Sequence, residues 1–493
     1  MSVDSQNITN PEFRGSFHYS PPRGWMNDPN GFSYFKRHFH LFYQHNPDAS
    51  VWGAMHWGHA ISEDLITWKA LPIALKPGAD YDANGCWSGG AIADGERHLL
   101  FYTGNAEPEP GRPQSRRQTQ CLAVGDGLEY RKSEANPVIG TDLLPAGSSS
   151  ADFRDPKIWR EGSDWYCLAA NRRLDGESQL LLFRAQDPAI WTLVAPVIKG
   201  EGKLAGMLEC PDFFSLGGQD VLLWSVMEMA AEEGNFQNPQ TVVWSAGHLD
   251  RETGRFTHDT ICEIDKGPDF YAPQTLMAPD GRVILIGWMQ TWHRSMPTHE
   301  LGHGWAGQMT IPREVFREDG RIAQCPVREL ESYRGVGVEH AKRFGGSTRL
   351  PGVEGQRLDL ELVFEAEGEG RVGLRLFVGD DERTEISWDT RTGWLTLDRS
   401  RAGIPIRSDS LSHPECQVYK ARIRRTGNTL HLRAVLDRSS IELFAQGGTT
   451  VMSSTVYPKS SSSGIEFFSD GCLTKLECRA WPLSGERATA IVE

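Results

Sequence analysis

The sequence has no run approaching the roughly 18 consecutive apolar residues that a membrane span requires. It also has no Cys-x-x-Cys pair: its nine cysteines are scattered from Cys86 to Cys478. An odd, scattered set reads as reduced thiols of a cytosolic protein, not as a disulfide framework. Positive charge is short, with 51 Lys and Arg against 65 Asp and Glu and a formal net charge of −14. That balance excludes nucleic acid and anionic membrane as expected partners, since both need clustered positive charge. The opening residues Met1-Ser2-Val3-Asp4-Ser5-Gln6-Asn7 lack the basic and apolar regions of a secretory signal. A cytoplasmic location is therefore expected and the sequon Asn7-Ile8-Thr9 carries no weight, although a processed secreted chain would read the same way. Helix-period patterning is scarce.

What remains is ample for a folded core. Of 493 residues, 39% are hydrophobic and 24% charged, which fits two large domains or as many as four. Sixteen are Trp, and indole rings are flat platforms on which the C–H faces of sugars stack, although most Trp in any protein fill core.

Short alternating runs bounded by Gly, Asp, Asn and Pro predict an all-β chain. One unit recurs five times: a polar tip, an apolar run, a turn and a second run. The tips are Asn27-Asp28-Pro29-Asn30-Gly31, Trp87-Ser88-Gly89-Gly90, Arg154-Asp155-Pro156, Glu209-Cys210-Pro211-Asp212 and Asp269-Phe270-Tyr271-Ala272-Pro273. The apolar runs start at Phe32, Ala91, Ile158, Phe213 and Thr275, intervals of about 60 residues that suit four-stranded blades. Five units predict a five-bladed β-propeller, with the tips converging near its axis. After Ser332 Trp thins out and charged residues alternate with apolar ones, as in Leu358-Asp359-Leu360-Glu361-Leu362. This texture predicts a C-terminal β-sandwich. The expected division is 1–334 and 335–493, with Pro326–Tyr333 as the connection and Lys459–Ser463 as a polar loop.

Three short motifs are declined on context. His299-Glu300-Leu301-Gly302-His303 fits the zinc-protease pattern, but flanking Pro297, Gly302 and Gly304 argue against the helix that chemistry needs. Asp80-Tyr81-Asp82-Ala83-Asn84-Gly85 opens like an EF-hand loop, yet its twelfth position is Ala91, and a turn is expected. Gly368-x-Gly370-x-x-Gly373 is followed by a strand pattern where a dinucleotide site requires a helix, so it reads as a hairpin turn.

Three tips carry acids, Asp28, Asp155 and Glu209, each among apolar or ring-bearing neighbours. Two carboxyls flanking a glycosidic bond, one ionised and one protonated, are the minimum equipment for sugar hydrolysis. Asp28 beside the Asn27 amide suits an ionised nucleophile, and Glu209 between Leu208 and Cys210 suits the proton donor.

Trp25-Met26-Asn27-Asp28-Pro29-Asn30-Gly31 resembles the signature of glycoside hydrolase family 32, the invertases, inulinases, levanases and sucrose-6-phosphate hydrolases. The resemblance continues through Phe42–Pro47, His56–Ala60, Trp87–Gly90, Arg154–Lys157, Glu209–Asp212, Asp269–Gln274 and Ile311–Glu314, and into Asp437–Phe444 of the second domain. Gly90 stands where many members have Ser. The resemblance implies a five-bladed propeller followed by a sandwich. It also implies a retaining β-fructofuranosidase with Asp28 as nucleophile, Asp155 as transition-state stabiliser and Glu209 as general acid/base. Its implied sugar-binding residues are Asn27, Gln44, Trp52, Ser88, Arg154 and Tyr271, with Trp305 as a further aromatic platform. No metal or cofactor is implied, and the expected partner is a small sugar.

Sucrose, sucrose 6-phosphate and short fructo-oligosaccharides are the expected substrates. A phosphorylated one would need cations near the leaving sugar, for which Arg116-Arg117, Arg172-Arg173 and His293-Arg294 are available. Fructosyl transfer, exo-fructanase activity on inulin or levan, and a non-catalytic sugar-binding protein are the alternatives. Monomer and homodimer remain open.

Overall fold

A computed structural model describes residues 10–108, 115–200, 206–232, 234–258, 260–410, 414–424 and 427–485. The N-terminal residues 1–9, including the sequon, lie outside the described residues. The first two-thirds form five antiparallel sheets, and each begins with one of the five repeats. The innermost strands are Gly24–Phe35, Cys86–Asp94, Ser148–Glu161, Leu208–Leu216 and Tyr271–Met277. Each is followed by three further strands in up-and-down order. In the fifth blade a long excursion, residues 289–312, separates the second strand from the third. From that excursion Trp305–Ala306 pairs in parallel with Gly24–Trp25, tying the last blade to the first.

The tips are built into the inner strands as bulges. Pairing slips between Met26 and Pro29, Trp87 and Gly89, Arg154 and Lys157, Glu209 and Asp212, and Tyr271 and Gln274. A bulge inserts an extra residue and re-aims side chains. Where a regular strand would send neighbours to opposite faces, Arg154 and Asp155 both line one pocket, as described below. Asp155, Cys210 and Ala272 take positive φ (63°, 45° and 49°), each immediately before a proline. Such backbone is uncommon for residues other than Gly and marks functional sites. The second half of each motif fills the axis. Lys157 Nζ donates to Asp212 Oδ2 (2.7 Å) and to the Thr275 carbonyl (2.9 Å), and Gln274 links Gly89 to Phe32 across three blades.

After the 3-10 turn Arg328–Tyr333, ten strands form the sandwich. Its two leaves share the bent strands Val338–Thr348 and Gly464–Pro482. Residues 473–482 of the second pair with Arg357–Glu367, and residues 464–470 pair with Arg371–Val378. Leu358, Leu360, Leu362, Phe364 and Ala366 alternate into the core between the leaves. Each buried aliphatic chain contributes about 1.5–3 kcal/mol. Asp359 on the other face is fully buried as well, held by Arg334 (2.8 Å) and Arg433 (2.9 Å).

Asp82 closes a turn by accepting from the Gly78 and Ala79 amides and the Tyr102 hydroxyl, as expected. The Gly368–Gly373 segment is not a hairpin: the strands it joins pair with opposite halves of Gly464–Pro482, so it is a crossover between leaves.

Candidate active site

At one end of the propeller axis lies a cavity of about 480 Å³. Its lining includes Asn27, Asp28, Gln44, Trp52, Trp87, Ser88, Arg154, Asp155, Glu209, Trp292, His293 and Asp409. The three acids, 181 residues apart from first to last, therefore meet in one pocket. Cys210 stitches two of them together: its Sγ lies 3.7 Å from Asp28 Oδ2 and 3.5 Å from Asp155 Oδ2, and its amide donates to Asp155 Oδ2 (3.0 Å).

Each acid has its own surroundings. Ser88 donates to Asp28 Oδ2 (2.7 Å), while Oδ1 is buried without a hydrogen bond of good geometry. Glu209 accepts from the Arg154 guanidinium at Oε1 (2.9 and 3.1 Å) and from the Tyr271 hydroxyl at Oε2 (2.8 Å). Arg154 also reaches Asp152 (3.2 Å) and Gln118 (3.3 Å), so four of its five N–H groups are engaged. Asp155 is fixed by its own amide donating to Thr103 Oγ1 (2.8 Å).

Burial pushes the Asp28 carboxyl up to about 6, with hydrogen bonding from Ser88 and Asn27 pulling the other way and the Glu209 carboxylate adding to the rise. Burial, and then the Glu209 carboxylate, push Asp155 up to about 7 against the pull of Arg154. Only the expected apolar setting of Glu209, drawn from its flanking residues, is corrected. Leu208 turns into a hydrophobic cluster and Cys210 toward the other two acids, leaving Glu209 facing Arg154 and Tyr271. Sequence neighbours on a bulged strand do not describe a side chain's environment.

Of the expected sugar-binding residues, Asn27, Gln44, Trp52, Ser88 and Arg154 line the cavity, and Tyr271 reaches it through Glu209. Trp52 stands at the mouth, 49% exposed. Trp305 does not reach the cavity. It is 2% exposed, clustered with Phe13, Ile406 and Tyr457, and capped by the Arg14 guanidinium 4.4 Å from its ring. Its strand serves to close the propeller, and the pairing with Gly24 fixes its side chain away from the axis.

Five lining residues, Trp87, Met227, Trp292, His293 and Asp409, were not among the expected sugar-binding residues, and of these only His293 had been a candidate, as a cation for a phosphate. Trp87 was legible as part of a tip. Trp292 stacks on Trp25 with ring centres 6.2 Å apart, but it sits in the long excursion, where no repeat marks it. Asp409 comes from the sandwich and had no local signal at all. Among the other tryptophans, four (Trp57, Trp224, Trp288 and Trp388) are fully buried in the core.

The other declined motif forms one helical turn, Pro297–Glu300, which ends at Gly302 with φ 70°. His299 bonds Ser50 (2.8 Å), whereas His303 stacks on Phe13. Among the described residues no group of three or more His, Cys, Asp and Glu has the arrangement to hold a metal ion.

Comparison with known proteins gives a consistent result. Residues 18–326 match the glycosyl hydrolases family 32 N-terminal domain and residues 329–482 the glycosyl hydrolases family 32 C-terminal domain. A sucrose-6-phosphate hydrolase of Escherichia coli is 35% identical over 96% of this chain and 95% of its own. A β-fructofuranosidase structure from Bombyx mori superposes with a TM-score of 0.81 at 34% identity, covering 97% of this chain and 95% of that one. A sucrose-6-phosphate hydrolase structure from Lactobacillus gasseri gives 0.86 at 25% identity, covering 98% and 95%.

Proposed function

The chain belongs to glycosyl hydrolase family 32, and from that premise we propose how its pocket works. The enzyme is a retaining β-fructofuranosidase that releases fructose from sucrose, sucrose 6-phosphate or short fructo-oligosaccharides by double displacement. In our assignment Glu209 gives a proton to the bridging oxygen as Asp28 Oδ1 attacks C2 of the fructosyl unit, and the leaving sugar departs with that proton. Water then adds at C2, giving its proton to Glu209, and the Asp28 ester breaks. Asp155 accepts hydrogen bonds from fructose hydroxyls that strengthen as the ring gains oxocarbenium character. The observation that carries this reading is that three acids from three blades line one pocket, with Glu209 joined to Arg154 and Tyr271 and with Cys210 bridging Asp28 and Asp155.

The remaining assignments follow the same premise. Asn27, Gln44, Ser88, Arg154 and Tyr271 orient the fructosyl unit, and Trp52 offers a stacking face. Residues 1–334 are the catalytic unit and residues 335–493 the sandwich that covers its flank. A reducing, cytoplasmic setting is supported by nine cysteines that are all free; among the described residues no helix is long and apolar enough to cross a membrane. Proton NMR of the first product anomer tests the reaction class: β-fructofuranose appearing first is expected, and initial release of the α-anomer would contradict double displacement.

A further inference from the structure

The outer wall of the pocket is made by both domains. The loop between the sandwich strands Trp394–Arg401 and Val418–Arg422 reaches back to the excursion of the fifth blade. There the Ser295 amide donates to the Arg407 carbonyl (2.8 Å), and Arg294 donates to Ser408 Oγ (2.9 Å) and the Tyr419 hydroxyl (3.0 Å). This seam sets His293, held at φ 62°, against Asp409: His293 Nδ1 donates to Asp409 Oδ1 (2.9 Å), and both side chains line the cavity.

The charge inventory of that cavity is lopsided. Among the described lining residues stand four carboxyl groups, Asp28, Asp155, Glu209 and Asp409, against the single guanidinium of Arg154, which is already engaged by Glu209, Asp152 and Gln118. None of the arginine pairs legible in the sequence supplies a free cation to it. Arg116 pairs with Glu107, Arg117 bonds the Asp80 carbonyl, Arg172 bonds the Gly176 carbonyl, Arg173 pairs with Asp175, and Arg294 is consumed by the seam. His293 faces inward but gives its Nδ1 proton to Asp409. A phosphate dianion on the leaving hexose would thus enter past an 80% exposed carboxylate, with a chain of net charge −14 behind it. A neutral hexose meets no such repulsion there.

We propose that Asp409, held by His293, is a specificity-determining residue contributed by the sandwich, and that it selects a neutral leaving sugar over a phosphorylated one. The inference rests on the reading of the pocket as a fructoside-hydrolysing site. The test is kcat/KM of the full chain on sucrose and on sucrose 6-phosphate, for the native protein and for Asp409→Asn and Asp409→Lys. Sucrose should be preferred by about tenfold or more. Asp409→Asn should narrow that ratio several-fold and Asp409→Lys further still, because removing and then reversing a charge changes its interaction with the dianion stepwise. In the native protein, raising the salt from about 0.05 to 0.5 M should also narrow the ratio by screening, a readout that needs no variant. A native preference for the 6-phosphate, or a ratio indifferent to both Asp409 substitutions and salt, would overturn the proposal. Failure to release fructose from either sugar would instead overturn the functional reading beneath it.

Discussion

Buried charge is handled in opposite ways in two regions of this molecule, the pocket and the seam where the propeller meets the sandwich. In the seam, Arg313 donates to Glu442 (2.8 Å) and Asp265 (2.9 Å), and His18 donates from both ring nitrogens, to Asp437 (3.1 Å) and Glu442 (2.9 Å). Asp437 also accepts from the Ser16 and Phe17 amides. Burial pushes the Asp437 and Glu442 carboxyls up, but His18 and Arg313 outweigh it and hold both below the ordinary range. In the pocket the balance falls the other way, and Asp28 and Asp155 are lifted to about 6 and 7. Charges with a full set of partners are fixed and serve structure; carboxyls left short of partners exchange protons near neutral pH and serve reaction.

The largest effect should come from breaking the pocket. Asp28→Ala should lower kcat on sucrose by at least about 10³-fold while leaving the unfolding midpoint within a few degrees of native, as read by initial rates and circular dichroism. Near-native turnover would remove Asp28 from the mechanism.

Breaking the seam should do the reverse. Arg313→Ala leaves buried Asp265 without its cation and Glu442 with His18 alone, which costs about 3–5 kcal/mol, measurable by urea unfolding. Activity at low temperature should survive, because Arg313 does not line the pocket. Unchanged stability would show that the seam is not the clamp its geometry describes.

pH separates the regions by the window in which each loses its contribution. Asp28 and Asp155 keep their protons in the fold where the unfolded chain, at about 3.8, has lost them. Their contribution to stability is complete below about pH 4 and is lost as the pH rises through 6 to 7. Asp155→Asn should therefore raise the melting temperature at about pH 8 and give no advantage at about pH 4. His18 is raised to about 9, burial being outweighed by Asp437 and Glu442, so its contribution is complete below about 6.5 and is lost as the pH rises through 9. His18→Gln should lower the melting temperature at about pH 6, with the deficit shrinking toward pH 10. Thermal scans across pH check both windows, and two changes falling in one shared window, or either one running the other way, would undo the comparison.

The smallest effect concerns two tryptophans. Trp52→Ala should raise KM several-fold as a stacking face is lost, whereas Trp305→Phe should leave KM unchanged. An equal response would place Trp305 back at the site.

Much of this was legible in the sequence because a propeller repeats its instructions. Each blade restates tip, run and turn, so the five inner strands and the three acids could be placed without coordinates. The sandwich core was legible from the alternation of Leu358, Leu360 and Leu362. What escaped depends on contacts between distant segments. Asp437–Phe444 stood out as a motif, yet that Glu442 answers Arg313, and Asp437 answers His18, is a matter of packing across the seam. Trp305 misled because its indole looks the same in sequence whether it faces sugar or the Arg14 guanidinium. Asp409 was invisible because nothing local distinguishes a loop carboxylate that borders a pocket from one that meets only water.

The most direct test of the central claim uses Glu209→Gln with an aryl β-fructofuranoside, whose leaving group departs without acid assistance. Lacking the base for the second step, this variant should accumulate the covalent intermediate, and acid quenching, digestion and mass spectrometry should find one fructosyl mass on the peptide containing Asp28. Fructose released with the Asp28 peptide unmodified throughout, or the label found on Asp155, would contradict the account.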